Sequence, residues 1–291
     1  MSLRILLTGG SGQVGWELRR TLACLGEVRT PDREAVDLTN ADSIRRAVRD
    51  WRPDIVVNPA AHTAVDKAES EAELAAAINA TAPGILAEEA AKSGALFVHY
   101  STDYVFDGSK AVAYVEDDAA NPQNVYGRTK WAGEQAVRAA NPKHLILRTS
   151  WVYGRRGGNF LLTMQRLMRE RPELKIVADQ FGAPTWARLI AEATAQMLTQ
   201  CVGPARRADF APWGTYHLTC GGETSWYGFA QAIADLSGIR SAPQLLPIPS
   251  SDYPTPAKRP ANSRLSNAKL AATFGLTLPD WRQALALCLD D

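Results

Sequence analysis

The chain of 291 residues is long enough to bury a large core and lies near the size at which one domain divides into two lobes. Its 32 Lys and Arg residues nearly balance its 31 Asp and Glu residues, which argues against nucleic acid as the main partner. Apolar stretches are only strand-length, so we predict neither a membrane span nor a membrane partner. Four scattered cysteines without a C-x-x-C pair, and a start typical of a core strand, predict a reduced, cytoplasmic protein.

Short apolar runs alternate with helical patterns through the first half of the chain, which is typical of βαβ units. We therefore predict an α/β fold, with a doubly wound, Rossmann-like parallel sheet and a smaller C-terminal lobe that binds substrate. The predicted strands are 4–8, 27–30, 55–58, 96–101 and 145–149. The predicted helices are 14–25, 41–51, 81–93 and 126–140. Thr39, with Asp42 three residues on, is expected to begin the second helix.

Beyond Trp151 the alternation weakens. Helical patterns recur at 160–170, 186–198, 226–236, 268–274 and 281–289. Prolines exclude regular helix or central strand from a stretch of the second half, which we expect to be an ordered loop across the smaller lobe: Pro243, Pro247, Pro249, Pro254, Pro256 and Pro260. We assign residues 1–150 to a dinucleotide-binding domain and 151–291 mainly to a substrate-binding lobe, with segments between about 176 and 215 returning to the first domain.

A glycine-rich turn, G-G-S-G-Q-V-G, follows the first predicted strand and opens into a helix. Glycines there permit a tight turn and let the backbone approach a pyrophosphate, while the helix N-terminus supplies amide donors and a partial positive charge. A glycine triplet can also be merely structural. In this context of strand, turn and helix we predict dinucleotide binding by Gly9, Ser11, Gly12, Gln13 and Val14.

Asp32 and Arg33, which follow the second predicted strand, give opposite indications about the cofactor. Asp32 would accept a hydrogen bond from a free ribose 2′-hydroxyl, whereas Arg33 would pair with a 2′-phosphate. We interpret the pair as a site for NADPH that tolerates NADH. Asp37 and Leu38 are expected to flank the adenine, the carboxylate accepting from its amino group and the leucine packing on the ring. Asp37 could equally be a helix-entry carboxylate.

A tyrosine and a lysine stand one turn apart in the predicted helix 126–140. Tyr126 and Lys130 would share a helix face, where a nearby ammonium lowers the pKa of the phenol toward the range of a proton donor. This spacing also occurs by chance in many amphipathic helices. Thr102 follows a buried strand, and ligands of open α/β sheets bind at that edge, so we expect Thr102 to reach the same ligand.

A hydroxyl, a phenol and a lysine in this order on a dinucleotide fold resemble the catalytic triad of the short-chain dehydrogenase/reductases. The G-x-x-G-x-x-G spacing of the turn resembles that of the extended members of this superfamily. The resemblance implies that Tyr126 donates a proton to a carbonyl oxygen as hydride arrives. It also implies that Lys130 holds the nicotinamide ribose and lowers the tyrosine pKa, while Thr102 hydrogen-bonds the oxygen.

Further segments are similar to the dTDP-4-dehydrorhamnose reductase family and span nearly the whole chain: 58–69, 101–108, 124–130, 148–154 and 254–265. This resemblance implies NAD(P)H-dependent reduction of the C4 ketone of dTDP-4-dehydro-L-rhamnose to dTDP-L-rhamnose, for surface polysaccharide biosynthesis. It leaves a homodimer and a magnesium requirement open, and no motif locates metal ligands. Pro59 stands where we expect a small residue such as alanine, and because it follows a strand we expect only a local effect.

Residues beside the strand ends complete the expected site. Ala61, His62 and Thr63 follow the third strand, where backbone contacts to the cofactor fall, although His62 could be an ordinary loop histidine. Without a His or Cys partner at ligand spacing, we do not interpret His62 as a metal ligand. Asp103 and Tyr104 adjoin Thr102 and should contact sugar hydroxyls, although Asp103 could merely cap a turn.

Three residues of the second half are expected to bind substrate. Trp151 follows a strand, where an indole can cover a sugar ring, although tryptophans more often pack in cores. Asn159 could bond the nucleotide or cap the helix after it, and the two roles are compatible. Arg259 is a candidate for the substrate diphosphate because a guanidinium matches phosphate oxygens, with Lys258 and Arg264 either sharing that role or merely solvated.

Two other functions stay open at this point. A nucleotide-sugar dehydratase or epimerase is related, but a 4,6-dehydratase is expected to carry a glutamate where this chain has Tyr104. A non-enzymatic, NADP-binding regulator similar to the regulatory subunit of methionine adenosyltransferase is the alternative from another class. The complete set of Thr102, Tyr126 and Lys130 favours catalysis.

Overall fold

The computed structural model describes residues 2–202, 209–238 and 243–291. The strands are β1 (Leu3–Leu7), β2 (Gly26–Arg29), β3 (Ile55–Asn58), β4 (Leu96–Thr102), β5 (His144–Thr149), β6 (Val152–Tyr153), β7 (Glu173–Val177), β8 (Phe181–Gly182), β9 (Thr185–Trp186), β10 (Gly214–His217), β11 (Thr224–Ser225) and β12 (Gln244–Ile248). The helices are α1 (Gln13–Thr21), α2 (Ala41–Trp51), α3 (Val65–Ala68), α4 (Ala72–Ala76), α5 (Ala82–Lys92), α6 (Val125–Ala140), α7 (Phe160–Glu170), α8 (Ala187–Val202), α9 (Trp226–Leu236), α10 (Ala268–Phe274) and α11 (Trp281–Asp290).

A six-stranded parallel sheet in the order β10-β5-β4-β3-β1-β2 forms the centre of the molecule. Successive side chains of its apolar strands enter different cores on its two faces, as the alternation of a strand requires. Leu6 and Val56 belong to the core that includes residues of α2 and α5, whereas Leu7 and Val57 belong to the core that includes residues of α1 and α8. The predicted α/β fold with a parallel sheet covered on both faces is confirmed.

The second half of the chain contributes to two regions. Strand β10 pairs with β5 and extends the main sheet, and α8 packs on α1, where the Thr21 hydroxyl donates to the Ala191 carbonyl at 3.2 Å. Strands β7 and β12 form a separate parallel pair against α9. None of the helices within the described ranges is long and apolar enough to cross a membrane.

Two local predictions were wrong. Residues Gln244–Ile248 of the proline-rich stretch form β12, an edge strand, where Pro247 is tolerated because only alternate N–H groups face the partner strand. Helix α2 begins after Asn40 rather than Thr39, since the Asn40 side-chain oxygen accepts from the amides of Asp42 and Ser43 at 3.0 and 3.1 Å.

A buried ion pair fixes helix α6 against the sheet. Arg148 of β5 donates from Nε and Nη2 to the two carboxylate oxygens of Glu134 at 2.8 and 2.7 Å, and both side chains are almost fully buried. Arg138, one turn along α6, donates to the same carboxylate at 2.6 Å. The two guanidinium groups compensate the buried negative charge of Glu134, which would otherwise destabilise the fold.

We expect Glu134→Gln to lower the free energy of unfolding by about 3 kcal/mol, because it leaves the buried Arg148 guanidinium without its compensating charge. Glu170→Gln is the matched control: its pair with Arg166 is exposed, so the loss should stay below about 0.5 kcal/mol. Chemical denaturation at neutral pH measures both. Equal, small losses in the two variants would contradict the assigned role of the buried pair.

Candidate active site

The glycine turn between β1 and α1 brings backbone segments so close together that side chains would not fit between them. Gly9 has φ +59°, and a Cβ at Gly15 would lie 2.1 Å from the Gly9 carbonyl oxygen. Helix α1 begins after Gly12 with no side-chain cap and no acidic residue in its first turn, so no side chain competes for its first amides. Such a cradle suits the pyrophosphate of a dinucleotide, because free amides and the helix dipole both favour an anion.

The residues expected at the adenosine end lie in the turn between β2 and α2. Asp32 and Arg33 are both exposed, and the Asp32 carboxylate accepts from the Ala35 amide at 2.9 Å. The Asp37 carboxylate accepts from the amide and hydroxyl of Thr39 at 2.8 and 2.7 Å, which lowers its pKa. Leu38 packs, partly buried, against the core near α2. Asp37 therefore serves the entry to α2, and its adenine contact stays a prediction.

The three residues of the expected triad converge where β4 ends and α6 begins. Thr102 is the last residue of β4, and Tyr126 lies in the first turn of α6. The Asn124 side chain caps this helix by accepting from the Gly127 amide at 2.8 Å. A Cβ at Gly127 would lie 2.2 Å from the Tyr104 carbonyl oxygen, so glycine lets the helix approach the strand end closely. The Thr102 hydroxyl lies near enough to the Tyr126 phenol to favour its ionised form, which opposes the effect of burial on the pKa of Tyr126.

The electrostatics of Tyr126 and Lys130 differ from the expectation. Lys130 is buried, and its ammonium donates to the Tyr100 carbonyl at 2.6 Å. Burial lowers the pKa of Lys130 to about 8 and raises the pKa of Tyr126 above its ordinary value. The expectation of a lowered tyrosine pKa is therefore wrong for this structure. A raised pKa keeps Tyr126 a neutral phenol, which is the form that can donate a proton.

Asp103 and Tyr104 lie beside Thr102 in a 3₁₀ turn, Asp103–Val105. One carboxylate oxygen of Asp103 accepts from the Thr102 hydroxyl at 2.9 Å. The other, Oδ2, is buried and forms no hydrogen bond of good geometry within the described ranges, although the Ser263 hydroxyl lies close enough to lower the pKa of this carboxyl. Burial raises the pKa of Asp103 to about 6. The Tyr104 ring meets the Tyr126 ring edge-on, with 5.4 Å between centroids. An unpaired buried acceptor beside the triad suits a hydroxyl-rich ligand.

The loop that carries Arg259 contacts the dinucleotide-binding half instead of lying only on the smaller lobe. Arg259 donates to the Tyr104 hydroxyl at 3.0 Å and to the Asp66 carboxylate at 2.6 Å. The Lys258 carbonyl accepts from the Asn124 side chain at 2.8 Å, which ties the loop to the cap of α6. Sequence reasoning missed Asp66 and Asn124, although both lie in segments that carried the family resemblance.

Trp151 lies at the junction of the two halves. Its φ of 47° is unusual for a residue with a side chain, and such strain is often found at functional sites. Its ring stacks on Trp226 with 3.6 Å between centroids, and a Cβ at Gly182 would lie 2.7 Å from it. The Trp151 indole is therefore packed against Trp226, and its contact with the sugar stays a prediction. The sequence did not indicate Trp226 as its neighbour.

Asn159 connects the second half to the glycine turn. Its side-chain oxygen accepts from the Leu162 amide at 3.1 Å, so the predicted capping of α7 is confirmed. Its amide group donates to the Gln13 side chain and the Gly154 carbonyl, each at 2.9 Å. Contact with the nucleotide stays a prediction, and Asn159 holds Gln13 in place.

His62 has an ordinary structural partner. With Ala61 and Thr63 it lies between β3 and α3, and its Nε2 is 2.7 Å from a Glu71 carboxylate oxygen. The Asn79 side chain accepts from the His62 amide at 2.8 Å and holds this loop. Among the described residues, no three His, Cys, Asp or Glu side chains are grouped so that they could hold a metal ion.

The parallel sheet and the glycine cradle at the carboxyl end of β1 are those of a Rossmann-fold, dinucleotide-binding protein. The model of the family described as "RmlD substrate binding domain" matches residues 3–291. The chain belongs to this family, that of the dTDP-4-dehydrorhamnose reductases.

Named relatives match along their whole length. The dTDP-4-dehydrorhamnose reductase of Burkholderia thailandensis is 50% identical over 297 residues, covering 99% of each chain. The crystal structure of a dTDP-4-dehydrorhamnose reductase from Clostridium acetobutylicum superposes with a TM-score of 0.92 at 40% identity, covering 99% of each chain. That of the Bacillus anthracis reductase in complex with NADP gives 0.90 at 35% identity, covering 100% of this chain and 99% of that one.

Proposed function

We propose that the protein reduces the C4 ketone of dTDP-4-dehydro-L-rhamnose to dTDP-L-rhamnose with NADPH, in the biosynthesis of surface polysaccharide. The convergence of Thr102, Tyr126 and Lys130 beside the glycine cradle carries this proposal. The named relatives, at up to 50% identity, support the substrate, and the relative solved with NADP supports the cofactor. NADH as a second reductant, a homodimer, a magnesium requirement and a cytoplasmic location remain predictions.

The chemistry follows from the protonation states of the site. NADPH, when bound at the cradle, supplies the hydride. Tyr126 donates to the ketone oxygen, and Thr102 turns its single O–H from Asp103 to the same oxygen. The neutral phenol transfers its proton to that oxygen as negative charge develops on it. Lys130 in its charged form stabilises the phenolate that remains and binds the nicotinamide ribose. The open carboxylate oxygen of Asp103 accepts from a sugar hydroxyl and orients the ketone.

An assay with purified protein tests the function. NADPH should be oxidised when the dTDP-4-keto sugar is added and not in its absence, and NADH in a parallel reaction measures the cofactor preference. No turnover with that ketone, together with tight binding to a partner enzyme, would favour the regulator. Loss of water from a dTDP-hexose would favour the dehydratase, which Tyr104 argues against.

We expect Arg259→Ala to raise the KM for the nucleotide sugar about tenfold or more with little change in kcat, because a charge-assisted contact to the diphosphate is made before and during the reaction alike. Lys258→Ala is the matched control from the same loop: its ammonium contacts only the Gln123 side chain, at 3.3 Å, among the hydrogen-bond partners found in the described residues. Steady-state kinetics separates the two parameters. A large fall in kcat at unchanged KM would remove Arg259 from this role.

A further inference from the structure

A row of buried polar side chains connects the strand before the glycine turn with the catalytic lysine. The Thr8 hydroxyl donates to the Asn58 side-chain oxygen at 2.5 Å, and the Asn58 amide nitrogen lies 3.3 Å from His99 Nδ1. On the other side of the ring, His99 Nε2 lies 3.4 Å from the Lys130 ammonium nitrogen. All four residues are at most 5% exposed, with His99 at 0%. Polar groups in such a place need partners within the protein.

The sheet order places this row. Strands β1, β3 and β4 are neighbours, and Asn58 and His99 are directly paired in register across β3 and β4. Thr8 follows β1, and its amide donates to the Val57 carbonyl at 3.1 Å. The row therefore lies across three rigid strands and ends at α6, so its members have little freedom to find other partners.

The imidazole of His99 is neutral, because burial and the charge of Lys130 hold its pKa well below the ordinary range. A neutral ring has one donor and one acceptor nitrogen, so the hydrogen on Nδ1 or Nε2 decides what Lys130 meets. In the structure the Asn58 oxygen accepts from Thr8 and the Asn58 NH₂ faces Nδ1, which places the ring hydrogen on Nε2 and suits only an uncharged lysine. A half-turn of the amide places its oxygen at Nδ1 and its NH₂ at the Thr8 oxygen, and Nε2 is then free to accept from the ammonium.

The ammonium of Lys130 has three N–H groups to place in a buried site. One donates to the Tyr100 carbonyl, and His99 Nε2 is the second polar atom within reach. When the hydrogen bonds to Tyr100 and His99 are both formed, the third N–H is left for a hydroxyl of the cofactor ribose. This assignment of the third N–H rests on the proposed function. The single anchor at Tyr100 would leave Lys130 free to rotate about that contact.

We propose that His99 is a positioning residue for Lys130: in the cofactor complex the Asn58 amide turns its oxygen to Nδ1 and fixes the ring hydrogen there, and Nε2 accepts from the ammonium. The hydrogen bond from Lys130 to His99 tightens when the cofactor takes the third N–H. His99 and Asn58 act on the reaction only by holding Lys130 in place.

Two substitutions of His99 separate positioning from packing. In His99→Gln the side-chain amide reaches the level of Nε2 and keeps an acceptor for Lys130, whereas in His99→Asn it ends at the level of Nδ1 and keeps only the contact to Asn58. We expect His99→Asn to lower kcat and raise the KM for NADPH, each by about tenfold, with the KM for the sugar unchanged. His99→Gln should stay within about threefold of the wild type. Equal losses in both variants, or none in either, would overturn the proposal.

A measurement on the unaltered protein covers the case in which a variant does not fold. The chain has four histidines, and ¹⁵N labelling resolves which ring nitrogens carry hydrogen, with assignment by comparison with a His99 variant or through Asn58 contacts. With NADP⁺ bound, Nε2 of His99 should be unprotonated and Nδ1 protonated. A proton on Nε2 in that complex would overturn the proposal. Because this readout needs no sugar, its failure is distinguishable from failure of the proposed reaction.

Discussion

Tyr126→Phe should lower kcat by about 100- to 10,000-fold, because it removes the proton that the ketone oxygen must receive while leaving the ring in place. Binding of NADP⁺ should change little, since the proposed mechanism gives the phenol oxygen to the ketone and the phosphates to the glycine cradle. Stopped-flow single turnovers of NADPH oxidation measure the chemical step, and fluorescence titration measures the cofactor affinity.

Tyr153→Phe is the matched control for this substitution. The Tyr153 hydroxyl is buried without a hydrogen-bond partner within the described ranges, so removing it should leave rate and stability nearly unchanged. An undiminished rate in Tyr126→Phe would remove the tyrosine from proton transfer. A loss of cofactor affinity as large as the loss of rate would assign it a binding role instead.

Gly15→Ala should abolish measurable NADP⁺ binding and destabilise the fold by about 1–3 kcal/mol or more. The new Cβ would lie 2.1 Å from the Gly9 carbonyl oxygen and 2.8 Å from its carbon, both of which are backbone atoms of the phosphate cradle. The turn must therefore open, and the amides that face the pyrophosphate lose their common direction. Calorimetric titration with NADP⁺ and thermal unfolding measure the two effects.

Gly158→Ala tests whether any added methyl group near the site would do the same. A Cβ at Gly158 would meet no atom within 4 Å, and its φ lies outside the left-handed region. We expect unchanged binding and unchanged or slightly higher stability. If Gly15→Ala bound NADP⁺ as tightly as the wild type, the cradle would not be the phosphate site.

The sheet and the order of the triad could be predicted because their signals are local. Strands such as β3, with the sequence IVVN, are apolar up to their last residue and bounded by turns, so the sequence locates them. The bounds of β3, α2, α7, α9 and α10 match the prediction. Strand β10 was missed because Gly214–His217 becomes a strand only through its pairing with β5, about seventy residues earlier in the chain.

The contacts that complete the site were out of reach of local patterns. Arg259 meets Asp66 across 193 positions of sequence, and only the tertiary fold brings these charges together. The same holds for His99, which in the sequence is one polar residue within a buried strand. The raised pKa of Tyr126 was mispredicted because helical spacing gives the neighbour at i+4 but not the extent of burial, which here has the larger effect.

Transfer of the hydride from NADPH to C4 of the sugar can be followed with deuterium. The unaltered protein is given NADPH that carries deuterium at both hydrogen positions of nicotinamide C4, together with dTDP-4-dehydro-L-rhamnose, and the sugar product is examined by NMR. The proposed hydride transfer predicts dTDP-L-rhamnose with deuterium at C4 of the sugar and a hydroxyl in place of the ketone. A product without deuterium at C4, or recovery of unchanged ketone with intact NADPH, would contradict it.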